Sequence, residues 1–141
     1  MRMMVILLLV SYQSLSIYNN KIVFVYLLPF ESSYFVRIEE NDILSHSKRK
    51  VLLSHNSHFW RDVVRFTTNI DTSGHLQEYN SIDIRVQLRF TNRNSNEEIL
   101  SFDKFGHYQY QNKIYPKDTC MLRLIEKEFS EIHWSSYAYS K

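Results

Sequence analysis

Two glycines, two prolines and one cysteine are all that 141 residues hold of the amino acids that usually punctuate or staple a small protein. Cys120 has no second cysteine to join, so no intrachain disulfide forms in any compartment and the core must hold itself. With only Gly74 and Gly106, there is no glycine-rich loop to cradle a phosphate. Turns fall instead to Asn and Ser, because Asn tolerates the left-handed backbone. No Asn-x-Ser/Thr acceptor occurs, which suits a bacterial exported protein better than a eukaryotic one. Neither long apolar run reaches the roughly 18–20 residues of a membrane-crossing helix, so no integral span is expected. Charge of one sign is lacking too: 17 Lys+Arg face 15 Asp+Glu for a net charge of +2, and nothing in that balance demands a polyanionic partner.

What the chain has in surplus is aromatic surface, with 10 Tyr, 9 Phe and 2 Trp. Rings on this scale fill a core and, where exposed, offer stacking or recognition surface. The first 16 residues carry Arg2, an apolar run from Met3 to Val10 and small residues at Ser14 and Ser16, the three parts of a secretory signal peptide. Periodicity alone fits a buried strand equally well. No Cys lies near residue 16, so a lipid anchor is not indicated. The expected organisation is a signal segment over 1–16, export to the periplasm or medium, and a single domain over 17–141.

Residues 21–28 are β-branched and aromatic on both faces, which predicts a strand buried on two sides and ended by Pro29. Alternation from Tyr34 to Glu39 predicts a second strand returning beside it as a hairpin. The segment from Glu39 to Lys50 reads as a polar loop, and Val51 to Leu53 as a short strand or a lead-in to a helix. Phe59, Val63, Phe66 and Ile70 then recur at helical spacing, with Ser57 or Asn56 as cap. The cleanest pattern follows, where Ile82, Ile84, Val86, Leu88 and Phe90 alternate with Asp83, Arg85, Gln87, Arg89 and Thr91. One face should be core and the other wet, as antiparallel sheets allow. If Thr91 pairs with Glu97, Leu88 faces Leu100, Val86 faces Phe102, and Arg85 meets Asp103 on the outer face. Gly106 marks a bulge, Asn112-Lys113 a tight turn, and Asp118 or Thr119 caps a last helix turning Met121, Leu124, Ile125, Phe129 and Ile132 inward. In order this is β-β-α-β-β-(small hairpin)-α, an α+β domain whose mostly antiparallel sheet of five or six strands carries two helices on one face.

No segment amounts to a catalytic, metal or cofactor signature. His55, His58 and Asp62 share a helical face only if the helix starts early, and structural zinc favours Cys and tighter pairs, so solvated histidines are the simpler account. Cys120 in the first turn of the last helix, with His107 upstream, sketches a nucleophile pair, although a lone Cys there more often packs as a small apolar residue. Lys48-Arg49-Lys50 is short for a basic patch and reads as a solvated loop. The best candidate for a binding face is the row Arg85, Gln87, Arg89 and Arg93, opposed by Asp83, Ser101 and Asp103. Tyr108, Tyr110 and Trp134 lead the aromatic C-terminal third and would extend a contact surface if exposed. The resulting expectation is a small exported, non-enzymatic protein that binds another protein, as an inhibitor or a toxin-neutralising partner. It needs no cofactor or metal. A polysaccharide or single-stranded nucleic acid held on aromatic platforms is the alternative, and a cysteine-dependent hydrolase the third.

Overall fold

The computed structural model describes residues 23–28, 37–47, 49–53, 57–91 and 96–130. The expected signal segment, Arg93, Trp134, Tyr137 and Tyr139 lie outside them. In chain order the elements are β1 (Val23–Leu27), a short α1 (Ile43–His46), β2 (Arg49–Leu53), α2 (His58–Thr68), β3 (Ile84–Thr91), β4 (Glu97–Asp103), β5 (Tyr108–Tyr110), β6 (Lys113–Tyr115) and α3 (Thr119–Glu128). The six strands form one antiparallel sheet in the order β2-β1-β3-β4-β5-β6. This is the expected α+β architecture, and among the described residues no helix is long and apolar enough to cross a membrane.

The expected neighbour of β1 is different. Arg37 to Glu39 are not in a strand, residues 31–36 lie outside the description, and β1 is flanked by β2 and β3. A strand apolar on both faces belongs inside a sheet, and here the chain makes an excursion past α1 before β2 takes the second edge of β1.

Both longer helices begin on side-chain caps. Ser57 accepts from the Trp60 N–H at 3.1 Å, and Asp118 accepts from the Met121 N–H at 2.8 Å, each satisfying a donor the helix itself leaves open. Their apolar stripes, Phe59, Trp60 and Val63 on α2 and Met121, Leu122 and Ile125 on α3, pack with Val25, Leu27, Val86, Leu88, Phe90, Leu100, Phe102, Tyr108, Tyr110 and Tyr115 in one core. Trp60 meets Phe90 edge-on at 5.1 Å, Phe66 meets Tyr108 at 5.1 Å, and Phe59 meets Phe129 at 5.5 Å, so α2 lies across the sheet from β3 to β5. Each fully buried side chain of this size contributes about 1.5–3 kcal/mol.

Thr91 pairs with Glu97, Leu88 with Leu100 and Val86 with Phe102, as the alternation requires. Beyond Val86 the register slips, and Asp103 stands opposite Ile84 instead of Arg85. Such a bulge sets two residues against one and reverses which face the next side chain takes. Ile84 accordingly joins Leu28, Ile38, Ile43, Ile82 and Ile114 in a second apolar cluster. Gly106 sits not in a bulge but in the β4–β5 turn, with φ of 92° and its N–H donating to the Asp103 carbonyl at 3.2 Å. The β5–β6 hairpin turns one residue earlier than Asn112-Lys113, on Gln111 and Asn112 at φ of 50° and 60°, with Tyr110 opposite Lys113. Two left-handed residues match the twist of the flanking strands.

Candidate functional site

The polar face of β3 is covered. Arg37 to Glu39 run beside the start of β3, where the Ile38 N–H donates to Asp83 Oδ1 at 3.0 Å and the Ile84 N–H to the Ile38 carbonyl at 2.9 Å. That apposition carries Glu40 over the sheet, and the Gln87 amide donates to its carbonyl at 2.9 Å and to Ser101 Oγ at 3.3 Å. Gln87 Oε1 accepts from Arg89 Nε at 2.8 Å, and Arg89 also reaches the Glu40 carbonyl at 3.4 Å and Glu97 at 3.6 Å. Gln87 and Ser101 are fully buried, Arg85 is 3% exposed and ion-paired with Asp83 at 2.5 Å, and the Arg89 side chain is 15% exposed. Burial raises the Glu40 carboxyl above its usual range, with Glu97 acting in the same direction and Arg89 against it. The expected wet face is thus corrected: Arg85 and Gln87 are interior groups bonded to the chain itself, and Arg89 offers the solvent only a margin.

The expected aromatic surface meets the same outcome where it is described. Tyr108 and Tyr110, 8% and 6% exposed, belong to the main core. Burial, with smaller effects from Asp118 and Tyr115, pushes the Tyr108 phenol up to about 12. Tyr110 donates to Glu98 Oε2 at 2.6 Å and is raised further, by burial first and by Glu98 second. Neither ring offers a stacking platform to a polymer.

His107 does not serve Cys120. Its Nδ1 pairs with Asp103 Oδ2 at 3.0 Å while its ring lies 5.4 Å from that of Tyr79. Asp103 Oδ1 also accepts the N–H groups of Phe105 and His107, at 2.8 and 2.9 Å. Burial raises the Asp103 carboxyl despite His107 and those N–H donors. The unit closes the β4–β5 turn. Cys120 is exposed and lines a groove of about 350 Å³ between α2 and α3, together with Asp62, Asp71, Asp118, Phe66 and Tyr108. Among the described residues no group of three His, Cys, Asp or Glu side chains is placed to hold a metal ion.

The strongest surface feature is one the sequence reading passed over. On β2, Val51 and Leu53 turn toward the helices, while Lys50 and Leu52 share the other face with Phe24 and Tyr26 of β1. Leu52 is 65% exposed. Lys50 Nζ stands 4.0 Å from the Phe24 ring centroid and 5.4 Å from that of Tyr26. Arg49 and Lys50 are exposed, and among the described residues no strand pairs with the outer edge of β2. The signal was present as alternation between Lys50/Leu52 and Val51/Leu53. It is hidden because three successive apolar residues read as one buried run.

No known protein family, curated protein or solved structure matches the chain.

Proposed function

We propose that this protein is a non-enzymatic binding module that captures another protein along edge strand β2, by receiving an extended segment of the partner. One observation carries the reading: Leu52, a large aliphatic side chain, stands 65% exposed beside Phe24 on a strand whose outer edge is unpaired among the described residues. Exposed apolar edge strands are what proteins avoid unless something pairs with them. Backbone hydrogen bonds supply affinity in strand addition and alternate side chains supply selectivity. On β2 those side chains are Lys50 and Leu52, which favour a partner strand carrying an acidic residue two positions from an apolar one. An inhibitor or a toxin-neutralising partner can work by this kind of capture, and the signal-like residues 1–16 support an encounter outside the cytoplasm.

The test compares wild type with Leu52→Glu, both immobilised, against periplasmic and secreted extracts of the native host. Leu52 lies outside the core, so the variant should keep the wild-type thermal midpoint. Proteins retained by wild type should be lost by Leu52→Glu. Equal retention by the two removes β2 as the site. The intact mass of the mature protein checks export, since loss of residues 1–16 is expected.

A further inference from the structure

The two ends of the sheet are treated differently. At one, β6 is only three residues long, and the Leu76 N–H donates to its Ile114 carbonyl at 2.6 Å, so the chain lies along its own edge. At the other, β2 is five residues long, and among the described residues no strand pairs with its outer side. A long open edge opposite a covered one points to an added strand.

Resting on the reading of β2 as the docking edge, the side chains of that strand specify what is added. Arg49 and Lys50 are both exposed and stand at its start on opposite faces, and Val51, Leu52 and Leu53 follow. Lys50 Nζ rests 4.0 Å from the Phe24 ring centroid, a contact that positions the ammonium without neutralising it. Toward the helices, Leu53 belongs to the main core and Val51 packs against it, while Leu52 stands 65% exposed on the other face. Residues directly opposite one another in paired strands share a face and touch. Both faces of β2 therefore match the same partner: aliphatic side chains opposite 51–53 and carboxylates opposite 49 and 50.

Charge disfavours two occupants nearer to hand. A second copy would bring edge strands reading Arg-Lys-Val-Leu-Leu and Lys-Ile-Tyr, neither of which holds a carboxylate. Residues 1–22 of the chain itself carry Arg2 and Lys21 and no Asp or Glu.

We propose that the partner of β2 is a segment of another protein in which about three aliphatic residues run, toward the C-terminus, into two acidic ones, added antiparallel. Every pairing in the sheet is antiparallel, and antiparallel ladders are slightly the more stable. Direction then fixes order, because an antiparallel strand meets Leu53 first and Arg49 last. A segment with its acids before its aliphatic residues would set them against Leu52 and Leu53.

Fluorescein-labelled, amidated peptides with threonine flanks test this by anisotropy on the full chain. One carries Val-Leu-Val-Glu-Glu and another the reverse, Glu-Glu-Val-Leu-Val, so that composition and net charge are identical. The first should bind wild type saturably, and the reverse at least about fivefold more weakly, as expected for two exposed charge pairs lost. Arg49→Glu/Lys50→Glu should lose the first peptide and gain Val-Leu-Val-Lys-Lys; the comparison of the two peptide orders on wild type needs no variant to fold. Equal binding of both orders, no binding at up to about 1 mM peptide, or a dimer in sedimentation that Leu52→Glu dissociates would overturn the proposal. Loss of extract capture in Leu52→Glu with no preference between the peptides would keep β2 as the docking edge and overturn only the partner assigned to it.

Discussion

Gln87→Leu is the sharpest perturbation of the covered sheet face, because leucine fills nearly the same volume and so isolates the loss of hydrogen bonds from the loss of packing. The change removes the donor to the Glu40 carbonyl at 2.9 Å and to Ser101 Oγ at 3.3 Å, and the acceptor of Arg89 Nε at 2.8 Å. A buried group left unsatisfied costs about 1–3 kcal/mol. Ser101 bears this in full because it is wholly buried, whereas the Glu40 carbonyl retains Arg89 at 3.4 Å and the Arg89 side chain, 15% exposed, can turn to water. Leucine also avoids the cost of burying an amide, so the net destabilisation is about 1–2 kcal/mol. Urea denaturation reads it as a lower midpoint at unchanged slope. Amide exchange locates it: the N–H groups of Asp42 and Ile43, bonded to the Glu39 carbonyl at 3.1 and 3.3 Å, should exchange faster, because the segment they close loses its tie to β3. A change below about 0.5 kcal/mol with no faster exchange at those amides would refute the reasoning, since the segment would then be held without Gln87.

Two further outcomes follow from local geometry. Gly106→Ala should cost about 2–4 kcal/mol, from left-handed strain and overpacking together, because φ is 92° and a Cβ would stand 2.5 Å from Leu122 Cδ1 in a fully buried side chain; thermal unfolding checks it, and an unchanged midpoint would show that α3 shifts freely. The Tyr108 phenol, pushed from its ordinary 10 up to about 12, is held neutral by the fold, so its stabilising contribution is complete below pH 10 and is lost as pH rises from there to about 12. The stability difference between wild type and Tyr108→Phe should therefore shift against wild type across that window, and a difference independent of pH would contradict the assignment.

Much of the fold is legible because it rests on local rules. Period two from Val86 to Phe90, helical spacing around Phe59 and Met121, and a capping oxygen three residues ahead of the N–H it accepts each depend on a few neighbouring residues. The β3–β4 register was readable because sliding it by one would turn every apolar side chain of the pair outward. The β1–β2 pairing was not, since a strand apolar on both faces takes two neighbours and nothing local says which. The hairpin turn was misplaced by one residue because Gln111 at φ of 50° has no glycine or asparagine to announce it.

The candidate site divides along the same line. Alternation on β3 states that one face is more polar than the other, and the sequence alone settles that Gln87 and Arg89 share it, short of the bulge at Arg85. Whether that face meets water is decided by Glu40, 47 residues upstream of Gln87, whose backbone carbonyl satisfies the amide and seals it in. Leu52, from an apolar run, is left in solvent by the pairing of β2 with β1. Side-chain period is a property of the strand, but exposure depends on what the rest of the chain lays across it, and only the tertiary structure contains that.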